Sequence, residues 1–150
     1  MRKSKARSLA LLVLVVALAG CATPLAPESG LVDGRLRECP DSPNCVSSMA
    51  PEDDEQHYIE PFSYSGTRSE AREKLLDIID EQDRAEILAS DPDYLHVAFT
   101  TPVMRFVDDV EFYLPGGENV IHVRSASRVG YSDLGTNRGR VEELREAFDE

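Results

Sequence analysis

Two histidines, two arginines, a glutamate and a tyrosine alternate with apolar residues along three β-prone runs, and that alternation could put them on one working surface. His96 falls between Leu95 and Val97, Glu111 and Tyr113 fall among Val110, Phe112 and Leu114, and His122, Arg124 and Arg128 oppose Ile121 and Val123. Side chains in a strand alternate between faces, so an unbroken register makes one sheet face apolar and gathers all six polar groups on the other. Three kinds of chemistry fit such a face. It can be solvated, or covered by another part of the chain with acid–arginine pairs tying it down. It can bind an acidic or polar ligand, with Arg124 and Arg128 as guanidinium forks for carboxylate or phosphate. It can also serve a hydrolase or a metal-dependent enzyme through His96 and His122, although two imidazoles without a third placed ligand are thin support for a metal. Asp108 and Asp109 point to opposite faces of a strand, so they suit structural ion pairs better than an acid/base couple. Ser47 and Ser48 lie in no Gly-x-Ser-x-Gly elbow, and Gly116-Gly117 lacks the lysine and following helix of a phosphate loop.

The chain has three cysteines, Cys21, Cys39 and Cys45. Cys39 and Cys45 enclose a short loop that already contains Pro40 and Pro43. In an oxidising compartment such a pair is expected as a disulfide. The loop is short, so the chain-entropy contribution is only about 2 kcal/mol. A metal site would need further ligands nearby, and a nucleophilic Cys45 thiol would need a base and no partner.

Positioning these groups requires regular elements. Thr67-Arg68-Ser69-Glu70 fits a capping box, and Ala71, Leu75, Ile78 and Ile79 then recur at helical spacing to about Gln82. Residues 85–90 and 94–101 read as a hairpin around Asp91-Pro92-Asp93, and 107–114 and 120–128 as a second one around Pro115-Gly116-Gly117-Glu118-Asn119. From about Asn137, Val141, Leu144 and Phe148 mark one face of a second helix. The order α-β-β-β-β-α contains no βαβ crossover. The expected fold is therefore α+β, a four-stranded antiparallel sheet with two helices on its apolar face and an irregular, disulfide-bearing N-terminal arm.

The N-terminus sets the address. Arg2, Lys3, Lys5 and Arg7 precede an apolar run from Leu9 to Ala19, the pattern of an export signal and too short to span a bilayer. Leu18-Ala19-Gly20-Cys21 is similar to a bacterial lipobox, so Cys21 is expected to carry acyl chains such as palmitate after residues 1–20 are removed. Several chains hold firmly where one is marginal. Ala22 does not match the aspartate of inner-membrane retention, which favours the periplasmic face of the outer membrane. Residues 21–36 then read as the lipidated cysteine and a tether, and 37–150 as a single domain. Losing residues 1–20 takes away four of 16 basic residues and none of 28 acidic ones, moving the net charge from −12 to −16. Such a balance argues against nucleic acid and anionic membranes as partners.

Two segments, Cys39-Pro40-Asp41-Ser42-Pro43-Asn44-Cys45-Val46-Ser47-Ser48 and Arg124-Ser125-Ala126-Ser127-Arg128-Val129-Gly130-Tyr131-Ser132-Asp133-Leu134-Gly135-Thr136-Asn137-Arg138, carry a resemblance. Together with Phe106-Val107-Asp108-Asp109-Val110 they resemble the bacterial family catalogued as domain of unknown function 1499, many of whose members are lipoproteins. The resemblance spans roughly residues 36–148. It implies no particular activity or cofactor; it puts emphasis on the cysteine loop with Asn44, Ser47 and Ser48, and on the segment from Arg124 to Asn137. Such a signature serves a ligand site or a structural lock equally well.

These features lead us to expect a non-enzymatic envelope lipoprotein, held to the membrane at Cys21, that binds a small polar or anionic ligand or an envelope protein. The candidate binding residues are Asn44, Ser47, Ser48, Arg124, Ser125, Ser127, Arg128, Asp133 and Asn137. The alternatives are the enzyme centred on His96 and His122 and a purely structural assembly component.

Overall fold

A computed structural model describes residues 28–150. The expected export signal and Cys21 lie outside the described residues. Among the latter, no helix is long and apolar enough to cross a membrane.

The elements in chain order are β1 (Leu31–Val32), β2 (Arg35–Leu36), β3 (Cys45–Ser47), β4 (Phe62–Ser63), α1 (Arg68–Asp80), β5 (Ala85–Ser90), β6 (Tyr94–Thr100), β7 (Val107–Tyr113), β8 (Val120–Ser127) and α2 (Thr136–Asp149). The fold is α+β, with two helices and a mostly antiparallel sheet. The four long strands form the meander β8-β7-β6-β5, each antiparallel to the next. The expected four-strand sheet is corrected to six, because β3 and β4 both pair antiparallel with β8. These additions come from the arm, which is less irregular than expected. They escape periodicity because a strand of two or three residues shows no alternation to detect. Residues Leu31–Leu36, read as the end of the tether, form the β1-β2 hairpin, and Leu36 is buried. Tyr58 makes a single parallel bridge to Ser47.

The helix α1 begins at the capping box: the Glu70 amide donates to Thr67 Oγ1, and the Thr67 amide donates to Glu70 Oε2 at 2.8 Å. A box of this kind satisfies two amide donors that a helix start otherwise leaves without partners. Below it, Ala71, Leu75, Ile78 and Ile79 meet Leu95, Val97, Phe99, Val110, Phe112, Ile121 and Val123 in one core, joined by Val141, Leu144 and Phe148 of α2. Both helices thus cover the apolar face of the sheet. Phe62 lies between Phe112 and Phe148, with ring centroids 6.0 and 5.6 Å away.

Cys39 and Cys45 form the expected disulfide, with their Cα atoms 5.7 Å apart. The bridge fixes the start of β3, so the cysteine loop is fastened directly to the strand that carries Arg124.

Candidate functional site

The polar sheet face is assembled as the alternation requires, and the chain itself covers part of it. Register places His96 opposite Glu111 and Glu111 opposite Arg124, with Tyr113 opposite His122. Glu111 is fully buried. Arg124 Nη1 donates to its Oε2 at 2.8 Å, while Tyr94 Oη and the Gly30 amide donate to Oε1 at 2.7 and 2.6 Å. The Gly30 contact brings the arm down onto the sheet. The Arg124–Glu111 pair beneath it is the acid–arginine tie expected of a covered face. Burial and the neighbouring Glu111 carboxylate push the Tyr94 hydroxyl far above its ordinary value, so it stays a donor.

A second acid–base group lies further along the same face. Asp109 accepts from His96 Nε2 at 2.7 Å and from Arg128 Nε and Nη2 at 2.9 and 2.8 Å. Burial raises the Asp109 carboxyl, but the hydrogen bonds from His96 and Arg128 outweigh it and leave the group below the ordinary value. Asp108 points the other way and accepts from Arg140 of α2 at 2.6 Å, as expected for a pair of structural ions on opposite faces. Because unfolded Asp109 binds its proton more readily than folded Asp109, its contribution is complete above the ordinary carboxyl value, about pH 4. It is lost as the pH falls through the folded value. Acid unfolding should accordingly steepen below about pH 4, and Asp109→Asn should flatten that slope in urea midpoints measured from pH 6 to 3. An unchanged slope would show that the pairing carries no linkage.

The histidines do not converge. His96 is engaged by Asp109, while His122 Nδ1 faces Ser48 Oγ at 3.1 Å, and the two sit on strands separated by β7. Burial lowers the His122 imidazole, keeping it neutral and able to accept the Ser48 proton. Ser48 Oγ in turn accepts the Val123 amide at 2.9 Å, so the hydroxyl bridges β8 to the arm. Among the described residues, no group of three or more His, Cys, Asp or Glu is placed to hold a metal ion.

The candidate binding residues do not gather at one place. Asn44, Ser125, Ser127, Asp133 and Asn137 form a polar lock where β3, the end of β8 and the start of α2 meet. Asn137 is fully buried; its Nδ2 shares two protons among Asn44 O, Ser127 Oγ and Asp133 Oδ2, and its Oδ1 accepts from Ser125 Oγ at 2.5 Å. Asn44 Nδ2 also closes onto Gly130 O at 2.7 Å. The Asp133 carboxylate takes the Asn137 and Gly135 amides, which replace the side-chain cap that Gly135 cannot provide to α2. Those donors outweigh burial and hold Asp133 below its ordinary value. Ser47 Oγ accepts the Met49 amide within the arm.

Arg124 belongs elsewhere. It lines a cavity of about 540 Å³ with Arg35, Arg37, Leu36, Cys39, Pro40 and the acidic Glu28 and Glu38, where the arm crosses the polar sheet face. Arg124 is 2% exposed and its Nε, also buried, has no hydrogen-bond partner. At the mouth Arg37 pairs with Glu28 at 2.7 Å, a contact in which Glu28 is largely exposed. Arg35 and Arg37 were hidden from sequence reasoning inside or beside the presumed tether. The available signal was charge: two arginines within three residues of an otherwise acidic chain. A neighbouring pair also passed unnoticed, His57 Nδ1 against Asp54 Oδ2 at 2.7 Å, with His57 Nε2 3.2 Å from the Ser42 carbonyl. This pair braces the cysteine loop.

The family described as "Protein of unknown function (DUF1499)" matches residues 35–148. No curated protein and no solved structure matches the chain.

Proposed function

The chain belongs to the DUF1499 family, and from that premise we propose that it is a lipid-anchored, non-enzymatic envelope protein whose domain binds a small anionic ligand beside Arg124. One observation carries this reading. A buried guanidinium with an unpartnered Nε lines a cavity that two further arginines also line, in a chain whose net charge is −12. Cavities of roughly 300–1,000 Å³ suit small ligands. Guanidinium groups bind carboxylate and phosphate through paired donors. The site joins the cysteine loop, at Cys39 and Pro40, to the strand bearing Arg124. It therefore draws on both segments of the family resemblance. Glu28 occupies the mouth as an exposed ion pair with Arg37, and such pairs contribute little, so an incoming anion displaces it at small cost. The address rests on the export pattern of residues 1–20 and on Cys21.

Thermal unfolding against inorganic phosphate, a sugar phosphate and succinate tests the binding. A true ligand at a hundred times its dissociation constant adds about 2.7 kcal/mol. The expected result is a saturable shift that is lost in the Arg35→Ala, Arg37→Ala double variant, whose changes sit at the exposed rim. A shift that survives in that variant, or none from any of the three anions, would count against the site.

A further inference from the structure

We propose that the domain has a second contact surface, two apolar loops that dip into the interfacial region of the zwitterionic bilayer to which the chain is tethered. Among the described residues nine large apolar side chains are exposed, and six of them, Val103, Met104, Phe106, Val129, Tyr131 and Leu134, lie on just two loops, β6-β7 and β8-α2. The loops face each other across a groove of about 560 Å³. Scattered apolar residues on a surface need no explanation, but a cluster of this kind marks a place of contact.

The backbone strengthens the point. Arg105 and Leu134, neither of them glycine, hold φ values of +57° and +54°. Leu134 is also 96% exposed. A leucine in the left-handed region carries a local cost, and strain of this sort is retained where the presented side chain has a use. The backbone of Leu134 belongs to the turn that caps α2, but the packing of the domain makes almost no use of its side chain.

Charge and chain length argue for lipid as the occupant. The two loops hold Arg105, Arg128, which is neutralised by Asp109 of β7, and one acidic residue, Asp133, whereas the chain without residues 1–20 carries −16. A second copy would bring the same strong negative charge, and an anionic lipid would be repelled by the rest of the domain. A neutral, apolar surface suits zwitterionic lipid. Tyr131 and Arg105 suit the headgroup level, where an aromatic ring or a long cationic stem has its polar end in water. The inference rests on the lipid-anchored reading for this geometry: seven residues from Cys21 to Glu28 reach at most about 24 Å. The arm meets the sheet at Glu111, three residues from Asp108 at the groove, or roughly 10 Å along β7. The loops can therefore reach the surface that holds the anchor.

The chain contains no tryptophan, so a single introduced indole reports alone. In the lipidated chain on phosphatidylethanolamine–phosphatidylcholine vesicles with brominated acyl chains, Leu134→Trp should be blue-shifted and quenched at least twofold. Leu88→Trp, on the exposed edge strand β5, should be unaffected, and adding Val103→Asp to Leu134→Trp should reduce the quenching. No quenching of Leu134→Trp while the chain is anchored overturns the proposal. Equal quenching at both positions does too, as does a blue shift that follows protein concentration without lipid, which would identify a second copy. Mass spectrometry of Cys21 tests the anchor separately. If Cys21 proves unmodified, the Cys21→Ser chain titrated with the same vesicles to millimolar lipid still decides: quenching of Leu134→Trp supports insertion, and its absence overturns it.

Discussion

Replacing Glu111 by leucine should cost the domain about 3–5 kcal/mol, the range found when one member of a buried ion pair is removed. Glu111 is fully buried and takes three donors, from Arg124, Tyr94 and Gly30. Without it, Arg124 becomes an uncompensated charge, already short of a partner at Nε. The Tyr94 hydroxyl and the Gly30 amide lose their acceptor as well. The Gly30 bond ties the arm to the sheet, so amide exchange in residues 29–37 should accelerate beyond what the global loss explains. The double variant Glu111→Leu, Arg124→Met should be more stable than Glu111→Leu alone, because it removes the stranded charge together with the desolvation that the pair required. Urea unfolding of the three chains measures this. A single-variant loss below about 1 kcal/mol would mean that Arg124 is solvated after all, and the cavity beside it would then be an extension of bulk water.

The second large effect is expected at Asn137. Asn137→Ala leaves the Ser125 and Ser127 hydroxyls without the amide that joins them, each in a buried setting, while the Asn44 carbonyl keeps the Ser127 amide as its donor. A buried polar group left unpaired costs roughly 1–3 kcal/mol, so the substitution should lower stability by about 3 kcal/mol or more. For a domain of this size that is a fall in Tm on the order of 10 °C. Its neighbour Arg138 provides the contrast: its Nη2 reaches the exposed carbonyls of Glu55 and Gln56, and Arg138→Ala should cost under about 1 kcal/mol. Comparable losses at both positions would mean that the lock is no more than surface hydrogen bonding. The predicted difference also bears on function. If Asn44, Ser125, Ser127 and Asn137 are this heavily committed to one another, their part of the family resemblance is structural, and binding must be sought at Arg124 and its arginine neighbours.

Much of the candidate site is legible in the sequence. The alternation in Leu95-His96-Val97 and Val110-Glu111-Phe112 identified which groups share the polar face, because one buried face forces a strand register and a one-residue slip would put every apolar side chain in water. The same argument placed Asp108 and Asp109 on opposite faces, where one meets Arg140 and the other His96 and Arg128. The alternation also turns Ser125 and Ser127 away from Arg124 and Arg128, but it could not say that they enter a network with Asn137, because the significance of a face depends on what packs against it. His96 and His122 looked like a pair for the same reason. They share a face, yet each is claimed by a different neighbour, Asp109 and Ser48.

By itself, then, the sequence determined the things set by local pattern: the capped helix from Thr67, the four long strands, the second helix, the paired cysteines and the segments by which the family is recognised. Each is encoded within a short stretch of chain, where periodicity, caps and turn residues act. The tertiary structure alone decided that short pieces of the arm extend the sheet as β3 and β4, that Gly30 meets Glu111 81 positions away, and that Arg35 and Arg37 line one cavity with Arg124. Contacts of that range are selected by complementarity between surfaces that exist only once the sheet has formed, and no residue carries a local signal for them.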